Sequence, residues 1–375
     1  MAYNHPSSPV WSRSPARLRL VLFLSVSTLM IFLLILYSPQ PPSCYSNSDT
    51  VVCRVAHKAK DHLRFKSHDK EHTQDLTGVK SKFAFATFLA GREDATIDDP
   101  YFIAVRMLTY QLLHANETRS HDRSIPFVVL CTDKVPQEQK SRLQRDGAIV
   151  VVGESIQSDW AKTDVGKWQD VLTKLRIWEF TQFELVALLD GDTVLTQPLD
   201  GVFNDPAVYH RDSLIAKTND IDPVIKPDEQ PLPATYSFAG VPEMKPEHGY
   251  PPTEENHDFP NLNYLNAGFF VFKPDVDMLG YYLSLLDIPG RFSPDFPEQN
   301  LLNYAHRREG AMPWLQLDLS WNIHMPKLED VQGGVKSIHD KWWQPGDKRL
   351  APMMESWRWR MEGYFESRDA VNGGV

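Results

Sequence analysis

The sequence has few cysteines and fewer basic than acidic residues. Its 375 residues include 3 Cys, too few for a disulfide scaffold, and their spacing does not resemble that of a structural zinc site. With 39 Lys and Arg against 49 Asp and Glu, the formal net charge is −10. Because contacts with nucleic-acid phosphates need clustered basic residues, this balance argues against a nucleic-acid-binding protein. Hydrophobic residues make up 42% of the chain, which is enough for a sizeable core and excludes disorder of the whole chain.

The charge is distributed unevenly along the chain. Residues 1–82 contain 11 Lys and Arg against 5 Asp and Glu, a net charge of +6, whereas the remaining residues carry a net charge of −16. These values indicate two physically different regions. The second region, residues 83–375, is long enough for an α/β enzyme domain.

A long apolar run near the N-terminus predicts a membrane anchor. Residues 20–37 contain no charged residue, and as a helix they would span about 27 Å, close to the ~30 Å hydrocarbon core of a bilayer. Arg13, Arg17 and Arg19 precede the run and place the N-terminus on the cytosolic side. A cleaved signal peptide usually has a shorter apolar core that ends in small residues. We therefore predict a cytosolic tail over 1–19, a single-pass type II signal anchor over 20–37 and a lumenal remainder.

The segment after the apolar run predicts a poorly ordered stem. Residues 38–82 begin with prolines and continue mainly with polar residues, among them histidines, lysines and acids, and no apolar pattern predicts a core that would fix the histidines in a metal-binding geometry. Cys44 and Cys53 lie in this stem, where an oxidising lumen would let them pair with each other or link two chains. Asn116 begins the only Asn-x-Ser/Thr sequon, which agrees with lumenal exposure and a glycoprotein.

The remaining residues predict one α/β catalytic domain over 83–375. Apolar runs predict strands and helical periodicity predicts helices, in alternation along the chain. The predicted strands are 83–89, 125–130, 148–152 and 185–189, and the predicted helices are 101–113 and 169–183. This alternation predicts a mostly parallel, doubly wound sheet. Residues 222–261 contain nine of the 28 prolines and predict a long inserted loop rather than a helix or strand.

An acidic turn follows the last predicted strand. Asp190-Gly191-Asp192 comes directly after 185–189, at the carboxyl end of a strand, where open α/β sheets bind their ligands. Since side chains alternate along a strand, Asp190 and Asp192 point to the same side and could share one hard divalent cation.

Two enzyme classes use this acidic pattern. Haloacid-dehalogenase-like phosphatases use it as an aspartyl nucleophile with Mg²⁺ ligands, and nucleotide-sugar glycosyltransferases use it to hold a Mn²⁺ that neutralises the diphosphate leaving group. The phosphatase motif normally follows the first strand of its domain, whereas about 100 residues of α/β pattern precede it here. Asp347 also lacks an acidic partner at Ala351. This context favours a glycosyltransferase and keeps the phosphatase as the alternative.

The chain resembles glycosyltransferase family 8, the glycogenin-like retaining group with the GT-A fold. Matching segments occur in the same order as in that family, over most of the chain from residue 83 to about residue 343. These segments are FAFATF at 83–88, FVVLCTDKV at 127–135, the stretch 172–203 with the acidic turn, LNAGFFVFKPD at 265–275, DFPEQ at 295–299, and the His and Lys of 338–342. Several motifs in one order are far more specific than the acidic turn alone.

The resemblance implies a metal site and a sugar-nucleotide site. The implied metal ligands are Asp190, Asp192 and His339, a donor set that suits Mn²⁺ or Mg²⁺ with phosphate oxygens completing the coordination shell. The residues implied in binding a UDP-sugar are Phe88, Tyr101, Lys174, Asp190, Gly191, Asp192, Asn266, Ala267, Gly268 and Lys341. The implied catalytic residues, which contact the donor sugar in this family, are Asp295, Glu298 and Gln299.

The resemblance also implies a Golgi enzyme that transfers a sugar from a UDP-sugar to a glycan acceptor with retention. In character the chain is most similar to fungal Golgi N-acetylglucosaminyltransferases of this family, so UDP-GlcNAc is the leading donor, followed by UDP-glucose or UDP-galactose. Residues 317–325 contain no tyrosine where glycogenin glucosylates itself, so self-glucosylation is not expected. Double displacement through Asp295 or Glu298 and a same-face route both remain open. A non-catalytic UDP-sugar-binding protein is the second alternative.

Overall fold

The structure covers the predicted catalytic domain and a short segment before it. The computed structural model describes residues 74–92, 94–162, 170–214, 226–371 and 373. These residues belong to one compact unit, Asp61–Val375. The predicted tail and anchor and most of the predicted stem, including Cys44 and Cys53, lie outside the described residues, so these domain boundaries stay predictions. None of the helices in the described ranges is long and apolar enough to cross a membrane.

The described strands form one large sheet and two small ones. They are β1 (Phe83–Leu89), β2 (Phe127–Cys131), β3 (Ile149–Val152), β4 (Leu185–Leu189), β5 (Thr193–Leu195), β6 (Arg211–Asp212), β7 (Thr235–Tyr236), β8 (Phe238–Pro242), β9 (Leu265–Phe272), β10 (Leu315–Gln316), β11 (Ile323–His324) and β12 (Ser337–His339). The large sheet has the order β10-β8-β9-β4-β1-β2-β3. Strands β4, β1, β2 and β3 are parallel, as predicted, whereas β9 runs antiparallel to β4 and β8, so the sheet as a whole is mixed.

Helices cover both faces of the large sheet, which confirms the doubly wound architecture. The helices of the described ranges are α1 (Pro100–Leu113), α2 (Gln137–Asp146), α3 (Val276–Leu286), α4 (Pro297–Ala305), α5 (Leu328–Gly333) and α6 (Ala351–Val371). Helices α1 and α2 bury Phe102, Leu108 and Leu143 against one face. Helices α3 and α4 pack with a 3₁₀ helix against the opposite face. The strands between these two cores are buried on both sides, which explains why they read as continuous apolar runs.

Helix α1 begins where the sequence provides a cap. Oδ1 of Asp99 accepts hydrogen bonds from the backbone N–H groups of Tyr101, at 2.9 Å, and Phe102, at 3.1 Å. Pro100 occupies the first turn, where its missing N–H costs no hydrogen bond. This cap places Tyr101 at the end of the helix that lies toward the acidic turn.

The predicted helix 169–183 is wrong in type and in extent. The structure has a 3₁₀ helix over Val171–Glu179 instead, and all residues from Leu172 to Trp178 are buried. A segment without a solvent face has no amphipathic stripe, so the 3.6-residue period on which the α-helix was predicted does not describe it. Lys174 and Arg176 are among the buried residues and find partners on neighbouring segments.

The predicted loop 222–261 is wrong for its central part. Strands β7 and β8 lie within this stretch, and β8 is a fully buried strand of the large sheet. The prolines lie on both sides of the apolar run that forms β8, with Pro242 at its last residue, where it interrupts few ladder hydrogen bonds.

The small sheet β11-β12-β5 brings distant parts of the chain to the end of β4. Strand β12 pairs antiparallel with β5, with His339 opposite Thr193. It pairs parallel with β11, with His339 beside His324. The backbone N–H of Asp340 also donates to the carbonyl oxygen of Asp192, at 3.2 Å. This pairing sets His339 beside the acidic turn.

Helix α6 docks through four buried side chains, Met354, Trp357, Met361 and Phe365. Phe365 is fully buried, and the guanidinium groups of Arg106, Arg142 and Arg368 lie 5.4, 5.3 and 4.7 Å from its ring centroid. Nε of Arg106 donates to the buried carboxylate of Asp146, at 2.7 Å. The C-terminal helix is therefore held to α1 and α2 by an apolar contact surrounded by cations.

We expect Phe365→Ala to lower the free energy of unfolding by about 3–5 kcal/mol, because it removes a fully buried ring and leaves a cavity. Urea denaturation of the variant and the wild type measures the difference. Trp359→Ala on the same helix is the matched control, since the Trp359 residue is 60% exposed, and it should cost less than about 1 kcal/mol. Equal effects of the two substitutions would contradict the docking role of Phe365.

Candidate active site

The acidic turn and a distant histidine form one cluster. The backbone N–H of Asp190 donates to the carbonyl oxygen of Gly268, at 2.8 Å, which anchors the turn to β9. Nε2 of His339 lies 3.1 Å from Oδ1 of Asp192 and 3.8 Å from Oδ2 of Asp190. One ligand-type atom from each of the three residues lies within 4.8 Å of the others. The structure therefore brings together the three predicted metal ligands.

The donor set fits a hard or borderline divalent cation. Two carboxylates and one imidazole are ligands that suit Mn²⁺ and Mg²⁺, and three protein ligands leave coordination positions for phosphate oxygens. Nδ1 of His339 is buried and has no hydrogen-bond partner within the described part of the chain. The ring is thus held by its surroundings and by the acidic pair, with Nε2 directed at the carboxylates.

Gly268 makes room for the His339 ring. A Cβ atom at residue 268 would lie 2.2 Å from Cε1 and 2.4 Å from Nδ1 of His339, far closer than van der Waals contact allows. The backbone N–H of Gly268 donates to Oδ1 of Asn266, at 2.9 Å. A glycine at this position is therefore required for the imidazole to approach the acidic turn.

Opposite charges stabilise the cluster. Burial would raise the pKa of Asp192, but the positive charges of His339 and Lys341 outweigh it and hold this pKa well below its usual range. Burial would lower the pKa of His339, but the carboxylates of Asp192 and Asp190 raise it. Nζ of Lys341 lies 3.5 Å from Oδ2 of Asp192. Because a metal ligand must be unprotonated, a cation would compete with the proton on His339.

Lys174 connects the acidic turn to helix α4. Its buried ammonium lies 2.8 Å from Oδ1 of Asp190 and 3.3 Å from Oε1 of Glu298, and it donates to the carbonyl oxygen of Ala267, at 3.1 Å. Burial would lower the pKa of Lys174, but the two carboxylates raise it. Burial raises the pKa of Glu298 to about 7, although the Lys174 charge opposes this shift. Lys174 is therefore a buried cation of the site rather than a surface lysine.

The predicted Asn-Ala-Gly and Asp-x-x-Glu-Gln segments also meet. Oε1 of Gln299 accepts a hydrogen bond from the backbone N–H of Ala267, at 2.9 Å, and its Nε2 donates to the hydroxyl of Tyr264, at 3.1 Å. Glu298 is only 4% exposed and contacts Lys174. Because β9 runs antiparallel to β4, its first residues lie at the carboxyl end of β4, beside the acidic turn.

Asp295 is less closely tied to this cluster. It is exposed, and its Oδ2 accepts a hydrogen bond from the hydroxyl of Ser293, at 2.8 Å. Phe88 is half-buried and packs against the core on the α3 and α4 face. The structure thus gives these two predicted residues no contact with the metal-ligand group within the described ranges.

Tyr101 and Gly191 lie at the α1 side of the site. The Tyr101 ring meets Trp343 edge-on, with centroids 4.7 Å apart and an interplanar angle of 74°. Burial raises the pKa of Tyr101, and the Lys341 charge partly offsets this shift, which places the phenol near that ammonium. A Cβ at residue 191 would lie 2.8 Å from Cγ2 of Val105, so α1 packs closely against the turn.

Two further site residues were not predicted from the sequence. Oε1 of Glu243 lies 2.6 Å from Nδ1 of His324, and its Oε2 accepts a hydrogen bond from Nδ2 of Asn266, at 2.9 Å. The His324 ring centroid is 5.1 Å from that of His339. Burial would raise the pKa of Glu243, but the interactions with His324 and Asn266 lower it. Glu243 was missed because it falls in the predicted loop, and His324 because a lone histidine carries no motif.

The phosphatase alternative receives no support from Asp347. Its carboxylate accepts hydrogen bonds from the backbone N–H groups of Leu328 and Arg349, both at 3.0 Å, and it pairs with the Arg349 side chain at 2.7 Å. These interactions cap the helical turn Lys348–Leu350 and tie it to α5. The residue therefore has a structural role of its own.

Comparisons with known proteins place the chain in a family. No protein-family model matches the sequence. Galactinol synthase 1 of Solanum lycopersicum is 30% identical over 278 residues, which cover 72% of this chain and 74% of that protein. An uncharacterized protein of Schizosaccharomyces pombe is 26% identical over 332 residues, 78% of this chain and 86% of that protein.

A solved structure of the bifunctional glycosyltransferase WbbM aligns with a TM-score of 0.45 and 15% identity, over 78% of this chain and 52% of that one. This chain thus spans about half the length of that protein. The sequence relatives carry the assignment, because the galactinol synthase match is long and covers most of both chains. The chain therefore belongs to glycosyltransferase family 8, the glycogenin-like group with the GT-A fold, and it is a glycosyltransferase.

Proposed function

We propose that this protein is a metal-dependent retaining glycosyltransferase that transfers a sugar from a UDP-sugar to a glycan acceptor. The observation that carries the proposal is the meeting of Asp190, Asp192 and His339 within 4.8 Å at the carboxyl end of β4. Lys174 and Lys341 flank this group. Such a site combines hard ligands with nearby cations, which is what binding of a nucleoside diphosphate requires.

In the proposed reaction, a divalent cation held by Asp190, Asp192 and His339 would supply Lewis-acid chemistry at the diphosphate. Lys341 is half-exposed beside Asp192 and would offset the charge of the departing diphosphate. The buried ammonium of Lys174 lies 2.8 Å from Oδ1 of Asp190 and so fixes the orientation of this metal ligand. Tyr101, braced by Trp343, would contact the uridine.

We favour the same-face route to retention over double displacement. Glu298 is buried and its Oε1 lies 3.3 Å from the ammonium of Lys174, so this carboxyl group is engaged with a buried cation, which weakens it as a nucleophile. Asp295 is exposed and hydrogen-bonded to Ser293. In the same-face route the departing diphosphate oxygen accepts the proton of the acceptor hydroxyl, and no protein carboxylate needs to form a covalent bond.

For the donor, the sequence resemblance supports UDP-GlcNAc first. The tomato relative is named galactinol synthase, and on that name we place UDP-galactose beside UDP-GlcNAc, ahead of UDP-glucose. Hydrolysis of each donor by the purified protein with Mn²⁺ would rank them. A protein that binds UDP yet turns over none of these donors would support the non-catalytic alternative instead.

We also propose that the protein is a single-pass type II protein of the Golgi membrane with a lumenal catalytic domain. The uncharged run 20–37 and the preceding arginines support this topology. In the lumen, Cys44 and Cys53 could link two chains into a dimer.

Asp192→Asn should lower Mn²⁺-dependent hydrolysis of the best UDP-sugar by about 100-fold or more, because it weakens a metal ligand and removes a charge that offsets His339 and Lys341. The measurement is the initial rate at saturating Mn²⁺. Asp277→Asn, which changes an exposed aspartate in the first turn of α3, is the matched control and should keep the wild-type rate. A wild-type rate in Asp192→Asn would refute the proposed function.

Gly268→Ala should lower the affinity for Mn²⁺ by about 10-fold or more, because the added methyl group displaces the His339 ring from the acidic pair. Mn²⁺ titration monitored by electron paramagnetic resonance measures the affinity. Gly280→Ala is the matched control: residue 280 lies in α3, and its added Cβ would meet no side chain or other segment within 4 Å beyond its immediate neighbours. The change should therefore leave Mn²⁺ affinity unaltered and stabilise the helix by about 0.5–1 kcal/mol. Unchanged affinity in Gly268→Ala would show that His339 is not a ligand.

Asn116 offers a test of the proposed topology. It is exposed in the turn after α1, so a lumenal domain should be glycosylated there. We expect full-length protein from a eukaryotic host to show a mobility shift that peptide-N-glycosidase removes and that Asn116→Gln abolishes. Asn256→Gln, at an exposed asparagine outside any sequon, should leave the shift in place. The lumenal placement would be contradicted if the wild type showed no shift and if protease added to the outside of sealed microsomes digested its catalytic domain.

A further inference from the structure

A pair formed by a carboxylate and an imidazole lies beside the metal-ligand group but is not part of it. Glu243 comes directly after β8, and His324 is the last residue of β11. Oε1 of Glu243 and Nδ1 of His324 are 2.6 Å apart, although the N–H direction is too poorly aligned for a regular hydrogen bond. Their side chains are 19% and 20% exposed, so neither is sealed in the core.

Several elements hold Glu243 in place. Nδ2 of Asn266 on β9 donates to its Oε2, at 2.9 Å, and Nε2 of Gln299 on α4 approaches the same oxygen at 3.5 Å. The backbone N–H of Glu243 donates to the carbonyl oxygen of Tyr264, at 2.8 Å. A carboxylate oriented from so many directions, yet partly open, has the character of a preorganised binding group.

His324 is held by its strand and by the residue after it. In the parallel pair of β11 and β12 it lies beside His339, and the two ring centroids are 5.1 Å apart. Met325 follows with φ at 54°, in the left-handed region that a non-glycine residue rarely occupies. Backbone strain of this kind is concentrated at functional sites, where the surrounding structure enforces it.

The position of His324 argues against a fourth metal ligand. Within the described ranges, the group of ligand atoms that lie within 4.8 Å of one another contains Asp190, Asp192 and His339 but not His324. Nδ1 of His324 lies 2.6 Å from Oε1 of Glu243 instead. No hydrogen bond to Nε2 of His324 occurs among the described residues, so this ring atom remains for a ligand.

We propose that His324 and Glu243 form a hydroxyl-binding pair that selects the sugar of the donor. The inference rests on the proposed function, in which the diphosphate binds at the metal-ligand group. Glu243 and His324 adjoin that group, Glu243 through its hydrogen bond with Asn266 and His324 through its ring contact with His339. A carboxylate accepts hydrogen bonds from sugar hydroxyls, and an imidazole nitrogen donates to or accepts from a neighbouring hydroxyl. UDP-glucose and UDP-galactose differ in the orientation of one ring hydroxyl, and UDP-GlcNAc has an N-acetyl group in place of another. A site built to hydrogen-bond a hydroxyl discriminates against donors that misplace it.

The test measures donor discrimination and nucleotide binding in the same variants. For full-length protein with Mn²⁺, kcat/KM is determined for hydrolysis of the three donors, and the affinity for UDP is determined by calorimetry. In His324→Ala we expect kcat/KM for the preferred donor to fall about 10-fold relative to kcat/KM for the least preferred donor. The affinity for UDP should change less than twofold, because UDP lacks the transferred sugar. His324→Gln, which keeps a hydrogen-bonding group, should recover part of the discrimination.

Two further variants sharpen the result. His121→Ala, at a histidine whose side chain is 78% exposed, should change neither quantity. The Glu243→Gln change should reduce donor discrimination as His324→Ala does. Because the two residues act as one pair, the free energy of discrimination lost in the double variant should be smaller than the sum of the losses in the two single variants.

Each other outcome overturns the inference. If all three donors lose rate equally in both His324→Ala and His324→Gln, the residue does not select the sugar. If UDP and Mn²⁺ affinities fall together with the rates, His324 acts on the metal group instead. If wild-type protein binds UDP but hydrolyses none of the donors, the proposed function itself is wrong. This result differs from a failure of the His324 inference, because it appears in the wild type before any substitution is made.

Discussion

The pairing of β12 with β5 is the interaction on which the site depends. It sets His339 opposite Thr193, and so brings the imidazole to within 3.1 Å of an aspartate 147 residues away in the chain. Side chains alternate along a strand, so a shift of one residue in this register would turn His339 to the other face of the small sheet. Gly268 is the second part of the same constraint, because only a residue without Cβ lets the ring reach this position.

Charge balance accounts for the other buried groups of the site. Lys174 lies between Asp190 and Glu298, and Lys341 and His339 lie against Asp192. Burying any one of these charges alone would cost several kcal/mol, whereas each here has an opposite partner at short range. The arrangement also suits the proposed chemistry. The carboxylates can pair with a divalent cation, and the lysines can pair with a diphosphate.

The sequence was sufficient for the parts of the structure that follow from local pattern. The runs that form β1 and β4 are apolar because both faces of these strands are buried, and that pattern is visible without coordinates. The acidic turn was recognisable because it follows β4 directly. The 3₁₀ helix Val171–Glu179 was not, since a segment buried on every side has no period to read. Strand β8 was hidden by the prolines that flank it, and with it Glu243.

What the sequence determined by itself was therefore the α/β class, the acidic turn and, through a series of motifs in one order, the family. Only the tertiary structure decided that β9 returns antiparallel beside β4, that Lys174 is a buried cation of the site and that His324 stands next to His339. The physical reason is that local sequence sets the conformation of each segment, whereas contacts between residues more than a hundred positions apart depend on strand order and register. His339 could be assigned from its motif, whereas His324 has no motif, and its neighbours follow only from the pairing of β11 with β12.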